Sequence, residues 1–255
     1  MTFKRSYYDT RIHNSMLSGP ERRLLNWTVE NLPEWVTPNM MTSLGVFGGA
    51  VVFFACVSAN YNLKFAYVAI LGLLLNWFGD SLDGSLARMR GLARPAYGFY
   101  LDQFADVASH FLLLFGLGLS PFMHLSPALM ALLGSMLLMF YDLLQLPFSR
   151  THQLAYFGWG PTELRIVIAA GFVFESGMGI HSVTSPFGTL TLFDLVGMIV
   201  FVVAVASVAR AFLIDSPRFA ALERRKQVSR PARPDLVTLR AAGEPAPANR
   251  TTVGS

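Results

Sequence analysis

The feature that most constrains this chain is a succession of six apolar runs separated by proline-containing breaks. The runs cover residues 40–57, 65–86, 97–119, 127–146, 164–180 and 190–214. A helix needs about 20 mostly apolar residues to cross a hydrocarbon core ~30 Å thick, so each run is predicted to span a membrane. Pro38, Pro95, Ser120-Pro121, Pro147, Gly160-Pro161 and Ser185-Pro186 fall between the runs, where turns belong. The expected fold class is therefore all-α and polytopic. Composition agrees: 53% of residues are apolar and only 14% charged, against about 25% charged in a soluble domain.

Charge sets the orientation. With both termini cytoplasmic, Lys64 is the only Lys or Arg on the far side, which is the bias the positive-inside rule demands. An odd number of spans would put the basic tail on the wrong face. The net charge of +4 is spread between spans and in the tail, without aromatic interleaving, and this excludes a nucleic-acid surface. The single cysteine, Cys56, excludes an intramolecular disulfide and a Cys-based metal site. The first residues lack the apolar core of a secretory signal, so no cleavage is expected there.

The flanking segments read differently. In residues 1–37, Leu24, Leu25, Thr28, Val29 and Leu32 recur at helical spacing between Gly19-Pro20 and Pro33, with Arg22, Arg23 and Glu30 off the stripe. This predicts an amphipathic helix, lying either in the membrane interface or against the protein itself. From about Glu223 the chain turns basic and loses periodicity, which predicts a disordered tail able to touch anionic headgroups. The expected organisation is a cytoplasmic segment (1–37), a membrane domain (38–222) and a tail (223–255).

Carboxylates inside membrane spans are costly and point to function. Residues 80–106 hold four: Asp80 and Asp83 at i and i+3 of the second run, Asp102 and Asp106 at i and i+4 of the third. Each pair shares a helix face. Gly91 and Arg94-Pro95 turn the chain between them, so the helices are antiparallel and their acidic faces can meet near the cytoplasmic side. Carboxylates converging in a low dielectric need cations. Oxygen donors without Cys suit Mg²⁺ or Mn²⁺, and the set suffices for two ions, which can bracket a pyrophosphate. Gly84 permits close approach of a ligand to the helix backbone, Ala87 is small, Arg88 offers a donor fork to phosphate, and Gly98 gives room between helices. Ionised Asp106 can accept a proton from an attacking hydroxyl.

The pattern Asp80-x-x-Asp83-Gly84-x-x-Ala87-Arg88 … Gly98-x-x-x-Asp102-x-x-x-Asp106 resembles the signature of the CDP-alcohol phosphotransferases, with every fixed position matched in one 27-residue window. Nine residues separate Arg88 from Gly98, slightly more than the family's spacing, and the excess falls in the turn. The resemblance implies a six-span homodimer in the bacterial inner membrane, or in the endoplasmic reticulum of a eukaryote. It implies that Asp80, Asp83 and Asp102 hold metal, that Asp106 is close to the metals and acts as general base, and that Gly84, Ala87 and Arg88 line the CDP site. Pro38-Asn39-Met40-Met41-Thr42 matches the family's Pro-Asn-x-x-Thr, giving Asn39 and Thr42 a part in nucleotide binding. His13-Asn14-Ser15-Met16-Leu17-Ser18 resembles the entry to the longer choline and ethanolamine phosphotransferases.

The implied reaction is attack of an alcohol, with at least one substrate a lipid, on the β-phosphorus of a CDP-alcohol with release of CMP. Other readings stay open at this point. A CDP-diacylglycerol enzyme with a soluble acceptor such as inositol phosphate, glycerol phosphate or serine carries the same motif. A cation transporter could use the same acids, and a silent scaffold could keep them as a charge network. Arg88 could be a snorkelling basic residue, and Asn39 or Thr42 a simple helix cap. His110, one turn after Asp106, and Glu163 and Arg165 at the start of the fifth run are candidates for the acceptor pocket; an interhelical hydrogen bond and a local ion pair are the plainer alternatives. Asp142 and Asp194 lack a spaced partner and read as structural.

Overall fold

The computed structural model describes residues 11–12, 18–145, 152–153, 161–185 and 188–228. The His13–Leu17 part of the entry motif and the tail beyond residue 228 lie outside them.

Seven helices make up the described chain: α1 (Ser18–Asn31), α2 (Pro38–Ser58), α3 (Phe65–Met89), α4 (Pro95–Gly118), α5 (Leu125–Gln145), α6 (Pro161–Met178) and α7 (Leu192–Val228). The six apolar runs correspond to α2–α7, each within a few residues of its expected limits except at the end of α7. There the helix continues to Val228, past the expected loss of periodicity at Glu223. A short antiparallel hairpin, Ser182–Ser185 with Gly188–Thr191, precedes α7, and Arg11–Ile12 pairs in parallel with His152–Gln153.

Among the described residues, α2, α3, α5 and α7 are long and apolar enough to cross a membrane. The helices in place of the third and fifth expected spans, α4 and α6, fall outside that set because polar residues interrupt them: Asp102, Asp106 and His110 in α4, Glu163, Arg165 and Glu175 in α6. The outward faces of these helices are rich in large apolar side chains, including Phe47, Phe54, Leu71, Leu74, Phe104 and Leu133, as expected of a surface solvated by lipid rather than water.

Local chemistry explains the helix limits. Thr37 is the N-cap of α2, its hydroxyl accepting from the Met40 amide at 3.3 Å with Pro38 in the first turn. Neither Asn39 nor Thr42 caps that helix. Gly91, at φ 66°, ends α3; the Leu92 amide reaches back to the Ala87 carbonyl at 2.9 Å. Proline again opens α4 at Pro95.

The centre of the fold is a backbone-to-backbone crossing of α2 and α3. A Cβ on Gly48 would overlap the Asn76 backbone nitrogen, one on Gly79 the Gly45 nitrogen, and one on Gly72 would stand 2.8 Å from the Val52 nitrogen. Small residues allow this approach where no hydrophobic force acts between helices in lipid. α4 also packs on α2, and α3 and α4 touch each other far less than either touches α2.

α1 packs one face on the bundle. Val29, with Leu25 and Leu32, sits against Met41, Phe78, Leu82 and Leu86. Glu21 accepts from Trp77 Nε1 at 2.9 Å and from Thr162 Oγ1 at 3.0 Å, tying α1 to α3 and α6. Leu24 and Trp27 remain exposed. The chain divides into compact units at Arg210/Ala211; in the second, α7 contains Pro217 and an Arg218–Asp215 pair at 3.7 Å.

Candidate active site

The acidic stripe of α3 meets side chains of α2 and α6 and lies within electrostatic reach of α4. Asp83 lies within electrostatic reach of Asp80 on its own helix and of Asp102 on α4. Thr42 of α2 donates its hydroxyl to Asp83 Oδ2 at 2.7 Å, and Asp83 Oδ1 accepts from the Gly84 amide. Asp80 Oδ2 accepts from Arg165 Nη2 of α6 at 2.9 Å. Three helices other than α3 thus converge on two carboxylates spaced i, i+3.

Around this core the other expected residues take distinct places. His110 bonds the Asp106 backbone carbonyl through Nδ1 at 2.8 Å, so Nδ1 carries the proton in that bond; the ring also lies near Arg165 and Asp80. Arg88 folds back along α3, its guanidinium over Gly84, with Nη2 3.4 Å from Ser85 Oγ. Asn39 Oδ1 accepts from Arg94 Nη2 at 3.2 Å, and Arg94 stacks 4.7 Å over the Tyr97 ring. A cavity of about 440 Å³ opens beside Asn39, Met40, Ser43, Leu44 and Phe47. Ala87 is partly buried on α3, and Glu163 lies in the first turn of α6. Gly98 differs from expectation: a Cβ there would meet nothing within 4 Å, so it is not at a helix contact.

Sequence reasoning passed over several contributors. Arg94, which its sequence position marks only as part of the turn, reaches Asn39. Arg90 donates to the carbonyls of Leu32 at 2.8 Å and Pro33 at 3.0 Å, and also to those of Glu34 and Val36, holding the linker that leads into Asn39. Asn76, buried one turn before Asp80, bonds α2 and α4. A lone amide within an apolar run is the signal that could have found it.

A divalent cation was expected here. The donors are all carboxylate oxygens, the chemistry hard cations take. Among the described residues, however, no three His, Cys, Asp or Glu side chains stand together closely enough to hold an ion: Asp80 turns to Arg165 and Asp83 to Thr42.

A helical membrane protein with an acidic helix face met by side chains of neighbouring helices is the class these features define. The family model for CDP-alcohol phosphatidyltransferase matches residues 35–190, and the chain belongs to that family. No curated protein matches it. Membership makes it a transferase-family protein of phospholipid synthesis whose relatives move phosphatidyl groups from CDP-alcohols, generally with divalent metal ions. The apolar helices and the family together indicate an integral membrane protein.

Proposed function

We propose that this protein transfers a substituted phosphate from a CDP-alcohol to an acceptor alcohol at the acidic face of α3. The observation that carries the reading is the hydrogen bond from Thr42 to Asp83, which joins two separate parts of the family pattern across α2 and α3, with Asp102 of α4 within electrostatic reach.

In this reading Asn39, Thr42, Gly84 and Ala87 shape the nucleotide site and Arg88 contacts phosphate through its planar fork. Two Mg²⁺ or Mn²⁺ ions would be held by Asp80, Asp83, Asp102 and Asp106 once Asp80 releases Arg165 and Asp83 releases Thr42, and would neutralise pyrophosphate charge when bound. Asp106 takes the proton of the acceptor hydroxyl. The acceptor oxygen forms a bond to the β-phosphorus, the bond from that phosphorus to the CMP oxygen breaks, and CMP departs with the electron pair. His110, Glu163 and Arg165 surround the acceptor. At least one substrate is a lipid, reaching the site sideways while the nucleotide enters from water. The protein works as a homodimer of six-span subunits with both termini cytoplasmic, the exposed face of α1 lying in the interface.

Purified protein in liposomes, given a panel of labelled CDP-alcohols with candidate acceptors, tests this by CMP release. Release from CDP-choline or CDP-ethanolamine with a lipid acceptor, or from CDP-diacylglycerol with a soluble one, assigns the donor. Cation flux without CMP release would replace the enzyme by a transporter.

A further inference from the structure

One side chain of α3 bonds both α2 and α4. Asn76 of α3 donates through Nδ2 to the Gly45 carbonyl of α2 at 2.9 Å and to Ser109 Oγ of α4 at 2.9 Å. Asn76 and Gly45 are buried, and Ser109 is partly buried. Along α3, Asp80 and Asp83 follow Asn76 by four and seven residues; along α4, Asp106 and Asp102 precede Ser109 by three and seven. These spacings keep each set on one helix face. Because the helices are antiparallel, equal offsets of seven residues, about 10.5 Å of helix, set Asp83 opposite Asp102 once Asn76 is opposite Ser109. The electrostatic proximity of Asp83 and Asp102 is what that register requires.

α4 also packs along α2, where Phe115 stacks on Phe53 at 6.3 Å and Gly116 lies against the Phe53 backbone. α3 and α4 scarcely pack on each other directly. Beside Ser109 the contact with α2 is made at Gly49: a Cβ there would rest 3.5 Å from Ser109 Cα and 3.4 Å from Leu112 Cδ1. Smooth, small-residue contacts allow sliding, and a hydrogen bond in a low dielectric resists it, since an unpaired amide there is costly. A slip of one helical turn would displace Asp102 by about 5.4 Å.

We infer that Asn76 is a positioning residue: bonded to Gly45 and Ser109, it pins α4 to the α2–α3 pair in the register that brings the carboxylates of both helices to one site. The inference rests on the proposed transferase reading for its catalytic consequence, and on geometry alone for the register.

Ser109→Ala is the test, because it removes the α4 tie and leaves the Asn76–Gly45 bond and the α2–α3 crossing intact. Nitroxide labels on cysteines introduced at exposed Leu74 and Phe104 report the α3–α4 distance by pulsed electron resonance; buried Cys56 is the chain's own cysteine. The expected result is a shifted or broadened distance, kcat for CMP release about tenfold lower, KM for the CDP-alcohol unchanged, and the melting temperature in detergent retained. Asn76→Ala should add little to Ser109→Ala in the kinetics. An unchanged distance distribution overturns the pin whatever the kinetics. A changed distance with unchanged kcat overturns its catalytic consequence, as does a parallel loss of melting temperature and rise in KM, which would mark general loosening. If the unsubstituted protein releases no CMP from any CDP-alcohol while the distance still shifts, the transferase reading fails and the register pin stands.

Discussion

Two ends of the same bundle hold acids, and they hold them differently. At the end where α6 meets α7, Asp194 is fully buried and answered by backbone. It accepts from the Thr191 amide at 2.8 Å while its own amide donates to Thr191 Oγ1 at 3.1 Å, a reciprocal capping box at the start of α7. Its carboxylate also accepts from the His124 amide at 2.7 Å and meets His124 Nδ1 at 2.6 Å. Phe122, Phe172 and Phe193 pack beside it with ring centroids 5.3–6.1 Å apart. On the acidic face of α3, Asp80 and Asp83 take side chains borrowed from other helices, Arg165 and Thr42, with the Gly84 amide the one backbone donor to Asp83 among the described residues. An acid satisfied by the helix it starts is part of the fold; acids satisfied by exchangeable side chains remain available to a ligand. Glu175 is a third case. It is buried near Asp194, and its carboxyl faces the Leu192 amide without a hydrogen bond of normal geometry.

The largest test of this contrast is to make the same change at both ends. Asp83→Asn and Asp106→Asn should each lower CMP release by about a thousandfold or more, the scale of losing a charge that acts in the transition state. Asp106→Asn should keep CDP-alcohol binding, measured by titration calorimetry, whereas Asp83→Asn should weaken it. Asp194→Asn should retain turnover per folded molecule; a dead Asp194→Asn protein would erase the distinction. Next in size, Arg165→Gln frees Asp80 from its cation and should cost roughly 10–100-fold in turnover through misplacement, with the melting temperature preserved. If the protein melts early instead, the pair is structural.

Stability should respond at the other end. Asp194→Ala strips a cap and leaves backbone donors unanswered, a loss of about 2 kcal/mol read as a lower melting temperature in detergent. His124→Ala should cost less, since that side chain is 57% exposed. The smallest effect is expected at Glu175→Gln, which removes a buried carboxyl without a bonded partner and should leave the protein equally stable or slightly more so. A marked fall in melting temperature there would show that Glu175 supports the fold as Asp194 does.

Much of the architecture was legible because apolar runs and their breaks are local. Helices formed where the six runs lie, and Gly19-Pro20 with Pro33 bracket α1. The amphipathic stripe of α1 divided as only packing could decide: Leu25, Val29 and Leu32 face α3, while Leu24 is exposed. Asn39 and Thr42 could have been caps from sequence alone; Thr37 holds that position, leaving Thr42 for Asp83 and Asn39 for Arg94. Arg165 entered as an acceptor-pocket candidate, and its contact with Asp80 spans 85 residues, a distance no periodicity reports.

By itself the sequence determined the helices, the two acidic faces and the residue types fit to meet phosphate and cations, because spacing along a helix fixes which side chains share a face. The tertiary structure alone decided that α2 runs against α3 closely enough for Thr42 to reach Asp83, that α6 delivers Arg165 to Asp80, and that Asn76 bonds both α2 and α4. Those outcomes depend on how closely backbones approach and at what register, and neither is encoded in the spacing of any single helix.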